Sequence, residues 1–171
     1  TSRAQKGHHF LKLKKIYPLT QLISIIQEEK KKGKHIVLAN GCFDLIHVGH
    51  TRYLKESKIQ GDILVVAINS DSSVHKLKGK GRPILREKDR AEILSSFSFV
   101  DYITIFQEEN VDNVLLALKP QVHAKGSDYT TETVPEKEAV RSYGGKIAIT
   151  GGPKIRSTSD ILEDIANKNE K

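Results

Sequence analysis

Residues 40–50 read Asn-Gly-Cys-Phe-Asp-Leu-Ile-His-Val-Gly-His, and the fold turns on how they are read. Just before them Val37, Leu38 and Ala39 give an apolar strand signal, Asn40-Gly41 is a turn signal, and residues 48–59 carry a helical pattern. The stretch is therefore the hand-over from a strand to a helix. His47 and His50 stand at i and i+3, so a helix starting between them brings both imidazoles to one place beyond the strand end. The first N–H groups of such a helix lack intrahelical acceptors and lie at the positive end of its dipole, where a phosphate is well held. Gly41 allows a tight turn and a close approach of a nucleotide to the backbone. Either histidine alone would read as a cap or a partly buried polar residue. The strand-turn-helix setting points instead to a polyphosphate site with imidazole donors and no thiolate or carboxylate cage for a metal.

Outward from this junction the chain alternates. Upstream, Thr20 is placed to cap a helix whose Leu22, Ile23, Ile25 and Ile26 face inward, and Gly33 ends it. A first strand is expected over residues 35–39. The unbroken apolar run Ile63-Leu64-Val65-Val66-Ala67-Ile68 fits a strand covered on both faces. Further strands are expected over residues 102–106, 122–124 and 146–150, and further helices over 87–97, 111–118, 134–143 and 157–167, with Pro120 stopping one helix and Gly144-Gly145 turning the chain. Five strands alternating with helices predict an α/β fold: a single Rossmann-like domain with a five-stranded parallel sheet, helices on both faces, right-handed crossovers and ligands at the carboxyl ends of the strands. The histidine stretch, residues 69–71, 125–128 and 151–158 all follow predicted strands and so converge on one edge. Residues 1–15 are read as a flexible N-terminal segment and residues 16–171 as the domain.

The chain has 171 residues, 28 Lys and Arg against 21 Asp and Glu, and a net charge of +7, which calls for anionic partners. The basic runs lack interleaved aromatic residues for stacking bases, so a nucleic-acid-binding module is disfavoured. Neither a run of eighteen apolar residues nor a secretion signal is present, so the chain is read as cytoplasmic and free of membrane. Its one cysteine, Cys42, permits no internal disulfide and reads as a small packing residue beside the site. Residues 76–90 intersperse Lys78, Arg82 and Arg90 with Gly79, Gly81 and Pro83, the composition of a mobile loop that closes on phosphate. There Arg82 and Arg90 would be phosphate clamps and Lys78 a point charge.

In these motifs the sequence resembles the nucleotidyltransferases of the HxGH class, and residues 40–44 followed by His47 and His50 look most like the adenylyltransferase domain of the ADP-heptose synthases. The likeness continues through Asn69-Ser70-Asp71, Leu77-Lys78-Gly79, Arg82-Pro83-Ile84 and Lys125-Gly126-Ser127-Asp128-Tyr129, and covers residues 16–165. It implies transfer of AMP from ATP to a sugar 1-phosphate, D-glycero-β-D-manno-heptose 1-phosphate first among them, with release of pyrophosphate. Mg2+ would accompany the ATP, no protein cage being visible for it. The same class leaves open a cytidylyltransferase for glycerol or another polyol phosphate, or an FMN adenylyltransferase. His47, His50 and Arg82 are then the catalytic residues. Gly41, Cys42, Phe43, Lys125, Gly126, Asp128, Ser157 and Thr158 join the two histidines in binding nucleotide. Asp44, Asn69, Asp71, Lys78, Arg90 and Arg156 are candidates for phosphate or acceptor. The segment from Ile155 to Ile161 resembles the second family signature, but Ile161 stands where many relatives carry Arg or Lys, so that cation must come from elsewhere, Arg156 or the basic loop. Relatives commonly self-associate, so a homo-oligomer is an open expectation, and a separate kinase would supply the acceptor.

Overall fold

The strand β2, Ile63–Asn69, is buried along its whole length, and its alternating side chains define the two halves of the core. In a computed structural model, which describes residues 14–153 and 156–169, it lies beside β1 (Ile36–Gly41) on one flank and β3 (Tyr102–Phe106) on the other. Beyond β1 follow β4 (Val122–Gly126) and β5 (Lys146–Thr150), giving the order β3-β2-β1-β4-β5 with every described pair parallel. The α/β fold expected from the sequence is the fold observed. Ile63, Val65 and Ala67 face α1 (Leu19–Lys31) and α5 (Asp112–Leu118), where Leu22, Ile26, Val114 and Leu115 close over them. Leu64, Val66 and Ile68 face α2 (Val48–Ile59) and α4 (Glu87–Ser95), packing with Leu54, Ala91 and Leu94. A strand sandwiched in this way has no polar face, which is why its sequence is an uninterrupted apolar run.

The order of the strands positions the site. From β1 the chain moves one way to β2 and β3, then returns across the sheet to place β4 on the opposite flank of β1. Loops leaving β1 and β4 therefore diverge to opposite faces and open a crevice at their carboxyl ends, the usual ligand position in such sheets.

Several boundaries differ from the sequence reading. Thr20 caps nothing: α1 begins at Leu19 after Pro18, whose carbonyl accepts the N–H groups of Gln21 and Leu22. Residues 71–78 form a helix, α3 (Asp71–Lys78), that the sequence reading did not assign and whose last three residues take the start of the expected basic loop over 76–90. Its apolar pattern is thin, yet Ser70 Oγ accepts the Ser73 N–H at 3.2 Å and Val74 is fully buried, so a cap and one anchor suffice. The loop shrinks to residues 79–86. The helix expected over 134–143 is only α6 (Lys137–Ser142), with Glu136 as its N-cap, and α7 (Thr158–Asn169) closes the described chain. Residues 1–13 of the expected flexible segment lie outside the described residues. Lys15, assigned to the same segment, is tied to β3, since its carbonyl accepts the Ile103 N–H at 2.9 Å.

Candidate active site

The histidine stretch folds as a strand, a loop over residues 42–47 and a helix, but the turn is made by Phe43 and not by Gly41. Gly41 still belongs to β1, while Phe43 adopts φ +50°. That left-handed conformation costs on the order of 1 kcal/mol for a residue with a side chain. It is retained because the ring is 2% exposed, lies 5.2 Å from His50 and stacks on Tyr53 at 6.5 Å. Gly41 is needed for a different reason: a Cβ there would meet the Phe43 ring at 3.1 Å.

The two imidazoles are set by the backbone. His47 caps α2, its Nδ1 accepting the Gly49 N–H at 3.1 Å, and His50 Nδ1 accepts the His47 N–H at 3.2 Å. Their rings lie 4.0 Å apart. A neutral imidazole that accepts at Nδ1 carries its proton on Nε2, so both rings are fixed as Nε2–H donors. Gly49 permits this closeness, since a Cβ there would sit 2.9 Å from His47 Cε1. Burial and the neighbouring His47 push the His50 pKa down to about 4. Burial and Arg156 lower that of His47 as well, against the pull of Asp160. The pair is thus neutral and donating at neutral pH.

Around it lies a cleft of about 610 Å3 at the β1–β4 crevice. It brings together Gly41, Cys42, Phe43, Asp44, His47 and His50 from the first junction with Asn69, Lys78 and Arg82 from the β2 side. Lys125 and Gly126 end β4, Asp128 follows it, and Arg156, Ser157 and Thr158 come from the start of α7. Tyr53 locks the two sides together, donating its hydroxyl to the Ala124 carbonyl at 2.6 Å, and Ser57 Oγ lies 2.9 Å from Thr150 Oγ1.

Two expected residues lie elsewhere. Arg90, read as a phosphate clamp, is fully buried and donates inward: Nε to the Leu85 carbonyl, one terminal nitrogen to the carbonyls of Cys42 and Asn69, the other to Asp71. Asp71 is spent on that guanidinium and on the Glu87 N–H, and does not line the cleft. Both therefore stand behind the cleft, holding the segments that line it. Asp44 lines the cleft at 1% exposure with its carboxylate engaged: Arg82 Nε donates at 2.7 Å, the Ile84 N–H at 2.8 Å and the Leu85 N–H at 2.9 Å. Burial disfavours its charge, but these two N–H groups and Arg82 outweigh burial and hold the carboxyl below its usual range. Asp44 is thus a strut for residues 82–85, and it leaves the terminal nitrogens of Arg82 for the cleft.

At the start of α7 the hydroxyls are partly used. Ser157 Oγ accepts the Asp160 N–H at 3.1 Å, and Thr158 donates to the Leu45 carbonyl at 3.1 Å, docking this helix on the histidine loop. Arg156 lines the cleft paired with Asp164. Asn69 donates to Ser73 Oγ at 2.9 Å, and burial raises the Cys42 thiol pKa, in keeping with a packing residue. The sequence reading passed over Glu136 and the buried His123, which flank Lys125. The signal was available: His123 and Lys125 are two apart on a strand, so two basic groups share one sheet face and call for a carboxylate. Among the described residues no cluster of His, Cys, Asp and Glu could hold a metal ion, and no helix is long and apolar enough to cross a membrane.

Residues 38–159 match the cytidylyltransferase-like family model. Among curated relatives, the bifunctional protein HldE of Geobacter metallireducens is 47% identical over 151 residues, which is 88% of this chain and 31% of the relative. The protein of the same name from Syntrophotalea carbinolica is 41% identical over 96% of this chain and 34% of its own length. The chain thus spans about a third of these relatives. Among solved structures, a lipopolysaccharide core biosynthesis protein from Thermoplasma volcanium GSS1 superposes with a TM-score of 0.59 at 31% identity, over 68% of this chain and 94% of that one. A pantoate-beta-alanine ligase from Francisella tularensis, 17% identical over 90% of this chain and 77% of its own, shares the fold with the same TM-score.

Proposed function

The chain belongs to the cytidylyltransferase-like family, and from that premise we propose that it transfers AMP from ATP to a sugar 1-phosphate, D-glycero-β-D-manno-heptose 1-phosphate being the favoured acceptor. The observation that carries this reading is the pair of neutral imidazoles, each locked by a backbone N–H at Nδ1 and so presenting Nε2–H, at the start of α2 in the crevice between β1 and β4. Donors fixed in advance suit a reaction whose demand is positioning and charge stabilisation, with no covalent intermediate on the protein. A phosphate oxygen of the acceptor attacks the α-phosphorus in line, the bond from that phosphorus to the β-bridging oxygen breaks, and pyrophosphate leaves with the electron pair. His47 and His50 donate to the phosphate oxygens as charge builds on them. The terminal nitrogens of Arg82 and the Lys78 ammonium receive phosphate oxygens of acceptor or leaving group. Gly126, Asp128 and Tyr129 face the base and ribose, and Arg156 with the start of α7 takes the distal phosphates in place of the cation missing at position 161. ATP enters as its magnesium complex, the ion held by the phosphates themselves. Residues 16–171 act as one catalytic domain, and a sugar kinase makes the acceptor.

The choice of ATP and a heptose phosphate rests on residues 40–44 and 125–129 and on the similarity to the HldE proteins. Pyrophosphate release is to be measured for each nucleoside triphosphate against a panel of sugar 1-phosphates, polyol phosphates and FMN. Turnover with ATP and heptose 1-phosphate is expected, whereas turnover only with CTP would assign the chain to the other branch.

A further inference from the structure

The strand β4 carries two basic side chains on one sheet face, and a single carboxylate answers both. His123 and Lys125 are two residues apart and so project the same way. Glu136, at the start of α6, lies with Oε2 3.7 Å from His123 Nε2 and Oε1 3.4 Å from Lys125 Nζ. All three are buried, His123 completely, and exposure rises only to 8% at Lys125, where the series meets the cleft. The Lys125 ammonium also sits 4.7 Å above the centre of the Tyr129 ring. Two groups, the Glu136 carboxylate and the Tyr129 ring, thus hold a side chain that would ordinarily sweep through solvent on four rotatable bonds. Register places it at the switch point, beside the end of β1.

We propose that Glu136 is the positioning residue for Lys125, fixing its ammonium at the cleft floor so that the remaining N–H groups meet an anionic substrate, while His123 steadies the carboxylate from behind. The inference rests on the nucleotidyl-transfer reading. Burying an ammonium and a carboxylate costs more solvation than packing requires, so an apolar pair would serve a purely structural floor as well or better. An ammonium has three N–H donors; one is engaged by Glu136, and the others are left on the side of the Tyr129 ring and the cleft. His123 stays neutral, because burial lowers its pKa against the pull of Glu136. Glu136 is held at about 2: burial opposes its charge, but His123 and Lys125 outweigh burial. Glu136 is therefore a carboxylate at neutral pH.

The test is a double-mutant cycle on the purified chain with Glu136→Gln, Lys125→Met and the two combined, read as kcat and KM for both substrates alongside thermal denaturation. If Glu136 acts through Lys125, Glu136→Gln lowers kcat/KM by about 10-fold, and the double variant is no worse than Lys125→Met alone. Multiplying losses, or a Glu136→Gln enzyme of wild-type kinetics, would overturn the proposal. Glu136→Asp, which keeps the charge one methylene away, is expected to recover part of kcat/KM and covers the case of a Gln variant that does not fold. A 1H–15N correlation of the Lys125 ammonium, sharp in the wild type and broadened in Glu136→Gln, reads the restraint without turnover. A sharp signal in a chain inactive with every triphosphate would leave the positioning intact and sink the catalytic reading, while an active chain with the signal unchanged in Glu136→Gln would sink the positioning.

Discussion

At the scale of single residues, the informative atoms are the two Nδ1 nitrogens that accept backbone N–H groups. They turn two histidines into directed donors without any acid or base assisting. His47→Ala or His50→Ala should therefore lower kcat by roughly 10² to 10³, the loss associated with one charge-stabilising donor, with circular dichroism unchanged; near-full turnover in either variant would refute the mechanism. The same geometry has a pH consequence. His50 falls from an ordinary 6.5 to about 4 in the fold, so below pH 6.5 the unfolded chain takes up a proton that the folded chain refuses. Stability is complete above the unfolded value and is lost as pH falls toward about 4, by up to roughly 3 kcal/mol for this one ring. His123, also lowered, adds to the loss in the same window. Urea midpoints of wild type and His50→Ala between pH 7 and pH 4 isolate the His50 part, because the variant keeps the losses from His47, His123 and the carboxylates held low, and is expected to be shallower than the wild type. A variant as steep as the wild type would contradict the assignment.

At the scale of elements, Arg90 is the tie. From α4 it reaches the carbonyls that end β1 and β2, the loop before its own helix, and Asp71 at the start of α3. Four segments that frame the cleft are thereby held by one buried guanidinium. Arg90→Met would leave three carbonyls and a carboxylate without their donor, and is expected to cost about 3 to 5 kcal/mol in urea unfolding. A phosphate clamp predicts instead a raised KM at unchanged stability, so the two roles part cleanly. This is also where sequence reading stopped. A strand-turn-helix junction is legible because its determinants, the apolar run, the turn pair and the histidine spacing, all fall within a dozen residues. The direction of Arg90 depends on four segments that meet only in the fold, and in the sequence it stands among Lys88 and Arg86 as one more basic residue. The helix α3 was missed for a related reason: it is held by a serine cap and one buried valine, and neither produces a periodic pattern.

At the scale of the whole molecule, the parallel five-stranded sheet was readable because residues 63–68 are an unbroken apolar run and helices alternate with strands, whereas the order of the strands, and the place of the charge, depend on the fold. The net charge of +7 is not concentrated in the cleft. Its lining carries Lys78, Arg82, Lys125 and Arg156, but also Asp44, Glu109, Asp128 and Glu136. Arg82 and Lys125 are each matched by a carboxylate at 2.7 and 3.4 Å. With both cleft histidines neutral, the lining is close to balanced, so the attraction felt by a nucleoside triphosphate comes from the whole surface at long range. Such attraction is screened by salt, since the Debye length falls from about 10 Å at 0.1 M to about 3 Å at 1 M. Contacts inside the closed site, over less than that distance, are screened far less. Raising ionic strength across this range should therefore lower kcat/KM about 3- to 10-fold through KM and association, the lower end of what steering supplies, while kcat holds. Steady-state kinetics in NaCl and in KCl check this at matched ionic strength. A kcat that fell in step with kcat/KM would mean that the transition state leans on exposed cations, and would shift the weight of the mechanism from the histidine pair to Lys78 and Arg156.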